Sequence, residues 1–386
     1  MYLIAWKMLV GDRAKYFGIL IGLSFASLLI TQQLAIFVGI MSRSYSFITD
    51  TPQADIWVVD PGVLYIDDIR PLRDIDLLRV YGVEGVDWAV PLFKGLLRVR
   101  LDNGTFQTSN VIGIDDATLI GGPAKMIQGR LSDLRAYDAI IVDKVGAEGK
   151  LASPSPIPGD PPIPLKVGDF VEINDNSARV VGICEETRTF QSQPIVYMTY
   201  TRALSYAPAE RKLLSFILVK AKPGIPLHLL TKHIQEQTGF KAYTKEEFKN
   251  LTVLYYLKYT GIPINFGTAV LLGFVVGTAI AGQTFYNFTL DSLRHFGTLK
   301  AMGTSNATLL RMILMQAMIV GFIGYGIGIG GASLFGIFLG STELSFRLPW
   351  QLLVITATAI FLICTASAAF SIRTVIRLEP AIVFKG

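Results

Sequence analysis

YFGILIGLSFASLLITQQLAIFVGIMS, the stretch from Tyr16 to Ser42, contains no charged side chain. An α-helix rises 1.5 Å per residue and needs about 20 apolar residues to cross about 30 Å of hydrocarbon, so this run is long enough to span a membrane. Three more charge-free runs of that kind follow, at Tyr259 to Leu290, Met312 to Thr342 and Leu348 to Ile372. Four transmembrane helices are therefore expected, at 16–42, 259–290, 312–342 and 348–372. Composition points the same way: of 386 residues 51% are hydrophobic and 17% charged, with a mean hydropathy of +0.46. Soluble proteins carry about 25% charged residues, which speaks against an ordinary soluble enzyme. Lys7, Arg13 and Lys15 precede the first run as they would a signal peptide. Its length and the lack of an A-x-A-like site favour a retained anchor.

Charge distribution sets the expected orientation. The segment 43–258 holds 25 Lys/Arg against 26 Asp/Glu. Most of the remaining Lys and Arg fall in the N-terminal segment 1–15, the loop 291–311 and the C-terminal tail 373–386. Lys and Arg of short loops stay on the cytoplasmic side, so these three segments, and with them both termini, are expected in the cytoplasm and 43–258 outside it. The net charge of +5 then reflects topology and requires no nucleic-acid partner. Cys184 and Cys364 fall in different compartments on this reading, so no disulfide between them is expected.

The outer segment reads as mixed α/β. Alternating or β-branched runs at Asp55–Val59, Gly95–Leu101, Ser109–Ile114, Ala139–Val142, Phe170–Ile173, Ala178–Ile183 and Phe216–Val219 are bounded by Gly, Pro, Asp and Asn, as strands are. Helices are expected at Arg73–Tyr81 and Leu227–Thr238. SPSPIPGDPPIP, Ser153 to Pro164, has too many prolines for regular pairing and reads as a surface loop, with a partner contact as the alternative. The fold class is an α-helical membrane protein with four transmembrane helices and a large mixed α/β extracytoplasmic domain inserted between helices one and two.

Several chemistries lack their motifs. There is no G-x-x-x-x-G-K-[ST] phosphate loop, H-E-x-x-H, paired C-x-x-C or G-x-S-x-G in the sequence, so no catalytic residue, bound cofactor or metal is expected of this chain. His228 and His233 are five apart and would not share a helix face as i, i+4 ligands do. The four runs contain no Asp, Glu, Lys, Arg or His, whereas proton and ion relays place ionisable groups at membrane depth. Gln32, Gln33, Gln283 and Gln316 read as interface hydrogen-bonders or the lining of a substrate path.

Glycine is dense between Gly321 and Gly340, with G-x-x-x-G pairs such as Gly324 and Gly328. That spacing clears a stripe along which another helix can approach closely. Gly18 and Gly22 repeat it in the first run, within one subunit or between two. The cytoplasmic stretch DSLRHFGTLKAMGTSNATLLRMILM, Asp291 to Met315, continues the second span and breaks at Gly303, Thr304 and Ser305. Leu293, Phe296 and Leu299 recur three apart among Arg294 and Lys300, the pattern of a short amphipathic helix at the membrane surface. Ser305 or Thr304 can cap the helix that follows.

RHFGTLKAMGTS (Arg294 to Ser305), preceded by GQTFYNFTLDSL (Gly282 to Leu293), resembles the region between spans two and three of FtsX/MacB-type ABC transporter permeases, and among them most the DevC-type permeases of tripartite exporters. VYGVEGVDWAVPLF (Val80 to Phe93), GRLSD (Gly129 to Asp133), LKVGDFVEI (Leu165 to Ile173) and ARVVGICEE (Ala178 to Glu186) are similar to the periplasmic core domain of that superfamily. The ending RTVIRLEPAIVFKG, with Glu379-Pro380, fits as well. His295 departs from the pattern, since relatives commonly have an acidic residue there. The resemblance implies an inner-membrane homodimer that binds two copies of a separate ATPase subunit, which uses ATP and Mg. It also implies a periplasmic adaptor, an outer-membrane channel and efflux by mechanotransmission. It assigns ATPase coupling to Arg294, His295, Phe296, Leu299, Lys300, Met302 and Gly303. Related permeases extract lipoproteins or regulate cell-wall hydrolases, and those functions stay open. A membrane-anchored receptor without an ATPase is the alternative from another class.

Overall fold

The computed structural model describes residues 2–11, 13–101, 103–155, 157, 159–208, 213–339 and 344–376. Glu379-Pro380 and the tail beyond residue 376 lie outside them, as does 340–342 at the end of the third charge-free run. In chain order the elements begin with α1 (Tyr2–Gly11), α2 (Arg13–Ser44), α3 (Ser46–Asp50), β1 (Ile56–Val59), α4 (Asp74–Tyr81), β2 (Val86–Arg100), β3 (Phe106–Ile114) and β4 (Lys125–Gln128). Then come β5 (Ala139–Asp143), α5 (Lys144–Glu148), β6 (Phe170–Ile173), β7 (Asn176–Glu185), β8 (Ile195–Thr199), α6 (Tyr200–Tyr206), β9 (Phe216–Ala221), α7 (Leu227–Thr238) and β10 (Lys241–Thr244). The chain closes with α8 (Lys245–Tyr259), α9 (Ile262–Asp291), α10 (Leu293–Ala301), α11 (Asn306–Leu339) and α12 (Trp350–Ile376). It divides into two compact units, Met1–Ile40 with Gly261–Gly386, and Met41–Thr260.

Among the described residues four helices are long and apolar enough to cross a membrane: Arg13–Ser44, Ile262–Asp291, Asn306–Phe338 and Trp350–Ser371. These helices do not follow the charge-free runs residue by residue. Tyr259 closes α8, and the second long helix starts at Ile262 after Gly261, with Pro263 in its first turn, where a missing N–H costs nothing. The third starts at Asn306 and takes in Arg311. A charge marks where hydrocarbon ends, whereas backbone hydrogen bonding can carry the helix past that point.

Glycine decides which helices touch. A Cβ on Gly22 would lie 2.5 Å from Ile280 Cγ2, and one on Gly18 would lie 3.7 Å from Thr284 Cγ2, so this pair of α2 faces α9. A Cβ on Gly324 would lie 2.9 Å from Leu23 Cβ, and one on Gly328 would lie 2.4 Å from Ser27 Cβ, so the α11 pair faces the other side of α2. Both pairs thus serve contacts within one chain. Polar bonds add to the seams: Thr31 and Thr356 hydroxyls meet at 3.2 Å, Tyr325 OH donates to the Leu353 carbonyl at 3.0 Å, and Gln316 Nε2 donates to the Ala5 carbonyl at 2.7 Å. α9 is the least covered span, with Leu271, Leu272 and Val275 at 60%, 63% and 53% exposure.

The second unit holds a ten-stranded sheet in the order β10-β1-β9-β2-β3-β8-β5-β7-β4, with β6 bridging β7 and β2. β2 is 15 residues long and serves two neighbourhoods: Val86–Leu92 pairs with β9 and Phe93–Arg100 with β3. Because β6 returns to β2, the strands β2, β3, β8, β5, β7 and β6 close into a ring. Phe93, Leu97, Val111, Ile140, Val180 and Met198 belong to the apolar cluster of this ring. At the β1–β9 end both sheet faces are covered. Ile56, Val58, Ile217 and Val219 cluster with Val80 of α4 and Leu230 and Ile234 of α7. The alternate residues Trp57, Val59, Phe216 and Leu218 cluster with Phe47 and Ile48 of α3 and Phe248 of α8. Strands buried on both faces lose the polar alternation by which they are usually read, and β8 (IVYMT) is one such strand. α8 is opened by a capping box, in which Thr244 Oγ1 accepts from the Glu247 N–H at 3.3 Å and Glu247 Oε2 from the Thr244 N–H at 2.8 Å. Ser153 and Ile163 pair their backbones at 2.9 and 2.8 Å, which pins the proline-rich loop at its base.

Candidate functional site

Between α9 and α11 the chain makes a short stiff corner. Ser292 alone separates α9 from α10, and its backbone stays near helical at φ −87°, ψ 4°. α10 ends in a glycine cap: the Gly303 N–H donates to the Lys300 carbonyl at 3.0 Å, and the Thr304 N–H to the Leu299 carbonyl at 3.1 Å. Gly303 takes φ +90°, which a side chain would strain. Ser305 Oγ then accepts from the Thr308 N–H at 3.3 Å and caps α11.

The apolar face of α10 points into the chain's own core. Phe296 is 0% and Leu299 6% exposed, in one cluster with Ala5 and Leu9 of α1 and Leu309, Met312 and Ile313 of α11. These two side chains therefore pack within the chain itself and hold the corner in place. The 3.6 period identified an apolar face but not what covers it, and the missing cover is α1, a helix absent from the sequence expectations. Facing outward are Arg294, His295, Thr298, Ala301, Met302 and Gly303, with Met302 at 70% exposure. Lys300 is half-buried. At the head of α10, Lys15 of α2 pairs with Asp291 of α9.

The topology and this corner can be set beside known proteins. A family model described as the MacB-like periplasmic core domain matches residues 17–237, and one described as the FtsX-like permease C-terminal matches residues 255–380. The chain belongs to the FtsX/MacB-like ABC transporter permeases. An uncharacterized ABC transporter permease of Methanocaldococcus jannaschii is 25% identical over 58% of this chain and 58% of its own length. One from Mycobacterium tuberculosis is 26% identical over 72% of this chain and 70% of its own length. The macrolide export ATP-binding/permease protein MacB 2 of Aeromonas hydrophila is 22% identical over 72% of this chain and 44% of its own length. The chain thus spans less than two thirds of the archaeal relative and about half of MacB 2.

Other residues of the permease singled out from sequence fall apart from the corner. His228 and His233 are exposed on α7, and among the described residues no group of three or more His, Cys, Asp or Glu is placed to hold a metal ion. Cys184 and Cys364 are both buried free thiols, one in each unit. A buried carboxyl group went unnoticed in the sequence. Asp143 accepts from the Gly146 N–H at 2.8 Å, capping α5, and from the Ile195 N–H at 2.7 Å, which fixes the start of β8. Burial raises its pKa above the usual carboxylate range, and those backbone donors oppose the rise. Glu186 lies nearby. Period-2 alternation through Cys184-Glu185-Glu186 turns Glu186 to the same side as the buried Cys184, and that alternation was the available signal.

Proposed function

We propose that the permease couples ATP hydrolysis on a separate ATPase subunit to movement of its second unit outside the cytoplasmic membrane. The observation that carries this reading is the corner itself. α10 is anchored by Phe296 and Leu299, stiffened by the Gly303 cap, and presents Arg294, His295, Thr298 and Met302 on its free face. A surface anchored from below passes on a push, whereas one that slides on an apolar film does not. The cation Arg294 and the small or flexible groups around it suit a partner of mixed polarity, and His295 supplies a polar group where an acidic residue is common in relatives.

The charge distribution supports cytoplasmic termini and a cytoplasmic α10, with Met41–Thr260 outside. On this reading the chain itself binds no cofactor, and ATP and Mg belong to the partner ATPase. The assembly is a homodimer carrying two ATPase copies in the inner membrane, in contact with its lipids. The resemblance of Arg294 to Ser305 to DevC-type permeases supports tripartite efflux with a periplasmic adaptor and an outer-membrane channel. The name of MacB 2 pairs ATP binding and permease in one protein, and this chain spans 44% of its length.

The test is affinity purification of the full chain from its host in mild detergent, as wild type and as Met302→Asp. Wild type brings down an ATPase, and Met302→Asp loses it while keeping its yield and its elution volume. An adaptor in the same eluate supports export. Lipoprotein extraction or wall-hydrolase regulation accounts for an ATPase without an adaptor, and absence of any ATPase overturns the proposal in favour of a receptor.

A further inference from the structure

The proline-rich loop between α5 and β6 is not needed to join its own ends. Ser153 and Ile163 exchange both backbone bonds: the Ser153 N–H donates to the Ile163 carbonyl at 2.9 Å, and the Ile163 N–H to the Ser153 carbonyl at 2.8 Å. A two-residue turn would complete such a pair, so the longer excursion from Pro154 to Pro162 is surplus to the fold. The loop also satisfies most of its own backbone. Pro154, Pro156, Pro158, Pro161, Pro162 and Pro164 have no N–H to satisfy. The Ile157 N–H donates to Ser155 Oγ at 3.2 Å and the Asp160 N–H to the Ile157 carbonyl at 3.2 Å.

Its apolar side chains are left uncovered. Ile157 is 61% and Ile163 47% exposed, and Pro161, Pro162 and Pro164 are exposed with them. Asp160 is the single charge from Ser153 to Pro164. The chain that follows is pinned from both sides: the Leu165 N–H donates to the Ala147 carbonyl of α5 at 3.0 Å, and the Gly168 N–H to the Val180 carbonyl of β7 at 2.8 Å. Val167 and Phe170 are nevertheless 43% and 60% exposed on it. Membrane contact does not account for this strip. The second unit is entered at α3 and left at α8, whose Phe47 and Phe248 cluster with Leu92 of β2. β6, which follows the loop, pairs with β2 at Val99 and Arg100, and Val99 lies about 23 Å further along that strand at about 3.3 Å per residue.

We propose that Pro161-Pro162-Ile163-Pro164, together with Ile157, docks in an aromatic-lined groove of another protein. Proline fixes φ near −65°, which favours the extended polyproline helix that such grooves accept in P-x-x-P segments. Docking here buries no orphan donor. The one N–H between Pro161 and Pro164, that of Ile163, is already bonded to Ser153, and a buried unpaired donor is the usual penalty when backbone is covered. Docking also orders little, since the base is closed before the partner arrives. An apolar ligand with a single charge matches aromatic faces and gives a charged groove nothing to pair with. That the partner lies outside the cytoplasmic membrane rests on the function proposed above, while the docking itself does not.

The experiment is photo-cross-linking of the full chain in its host, with benzoylphenylalanine at Ile157 or Ile163, and at Leu229, 44% exposed on α7, as the control. Mass spectrometry of the product identifies the partner and the residues joined. One protein should be captured from Ile157 and Ile163 but not from Leu229, through a segment that contains Trp, Tyr or Phe. Pro161→Ser, Pro162→Ser and Pro164→Ser together should lower that product by about tenfold or more while the chain melts like wild type. Replacing the partner's aromatic residues with Ala should do the same. If the triple variant folds poorly, exchange of Pro154–Pro162 for Asn-Gly keeps the Ser153–Ile163 pair and gives the reading from Ile163. The proposal is overturned by a product with a second copy of this chain, by no protein product above the Leu229 control, by a joined segment without an aromatic residue, or by a product that survives loss of the prolines. Failure to recover an ATPase leaves the cross-link untouched, so the two readings fail separately.

Discussion

Replacing Phe296 with Ala separates an internal anchor from a docking residue. The ring is 0% exposed and clusters with Leu9 of α1 and Leu309 and Met312 of α11. Truncating a buried Phe costs about 3–5 kcal/mol, the lost burial plus the cavity left behind. Folded domains are stable by about 5–15 kcal/mol, so a large share of the margin goes. Met302 is 70% exposed on the next turn, and its replacement with Ala should change stability by no more than about 0.5 kcal/mol. The assay is thermal melting of the full chain in one detergent, followed by size exclusion, with recovered ATPase normalised to the folded fraction. Phe296→Ala should melt well below wild type and lose ATPase only in proportion to unfolded material. Met302→Ala should melt like wild type. A Phe296→Ala chain that melts normally and yet recovers no ATPase would refute the reasoning, because its ring would then have to face the partner.

Two further outcomes use the same melting assay. Gly328→Ala should destabilise by about 1–3 kcal/mol, since its Cβ would meet Ser27 Cβ at 2.4 Å and the Ser24 carbonyl oxygen at 2.7 Å, and backbone cannot yield as a side-chain tip can. Gly330→Ala, with nothing within 4 Å of its Cβ, should be neutral or slightly stabilising, and equal losses at both positions would remove the close-approach argument. Asp143→Ala strips the acceptor from the buried Gly146 and Ile195 N–H groups. Each orphaned donor costs about 1–3 kcal/mol, so its melting temperature should fall clearly below that of Lys144→Ala, an exposed neighbour on α5.

Expectations drawn from short windows fared differently from those that needed a partner surface. β6 and α7 lie over the same residues as the runs that pointed to them, Phe170–Ile173 and Leu227–Thr238, because a period of two or 3.6 is written into a few neighbours. β8 and β10 were passed over. β8, Ile195–Thr199, is buried at every position, so it has no polar face to alternate, and β10 is four residues long. α8 has a Thr244–Glu247 capping box, a signal the sequence contains and the expectations left unused. At the corner, the residues Arg294 to Gly303 were legible as a surface helix with a glycine stop, but the facing of Phe296 and Leu299 was not.

Read alone, the sequence determines what accumulates residue by residue: four runs apolar enough for hydrocarbon, the asymmetry of Lys and Arg, the lack of a phosphate loop, and the stripes of glycine. Transfer free energy and backbone conformation are local, so a window of some twenty residues carries them. Tertiary structure alone decides what two distant surfaces do to each other. Gly18 and Gly22 take α9, while Gly324 and Gly328 take α2. The apolar side of α10 turns inward because α1 and α11 cover it. The Thr187 N–H meets the Asp50 carboxylate across 137 residues of chain. A side chain's chemistry is written at its own position, but its charge state and its task depend on which groups folding brings within a few ångströms.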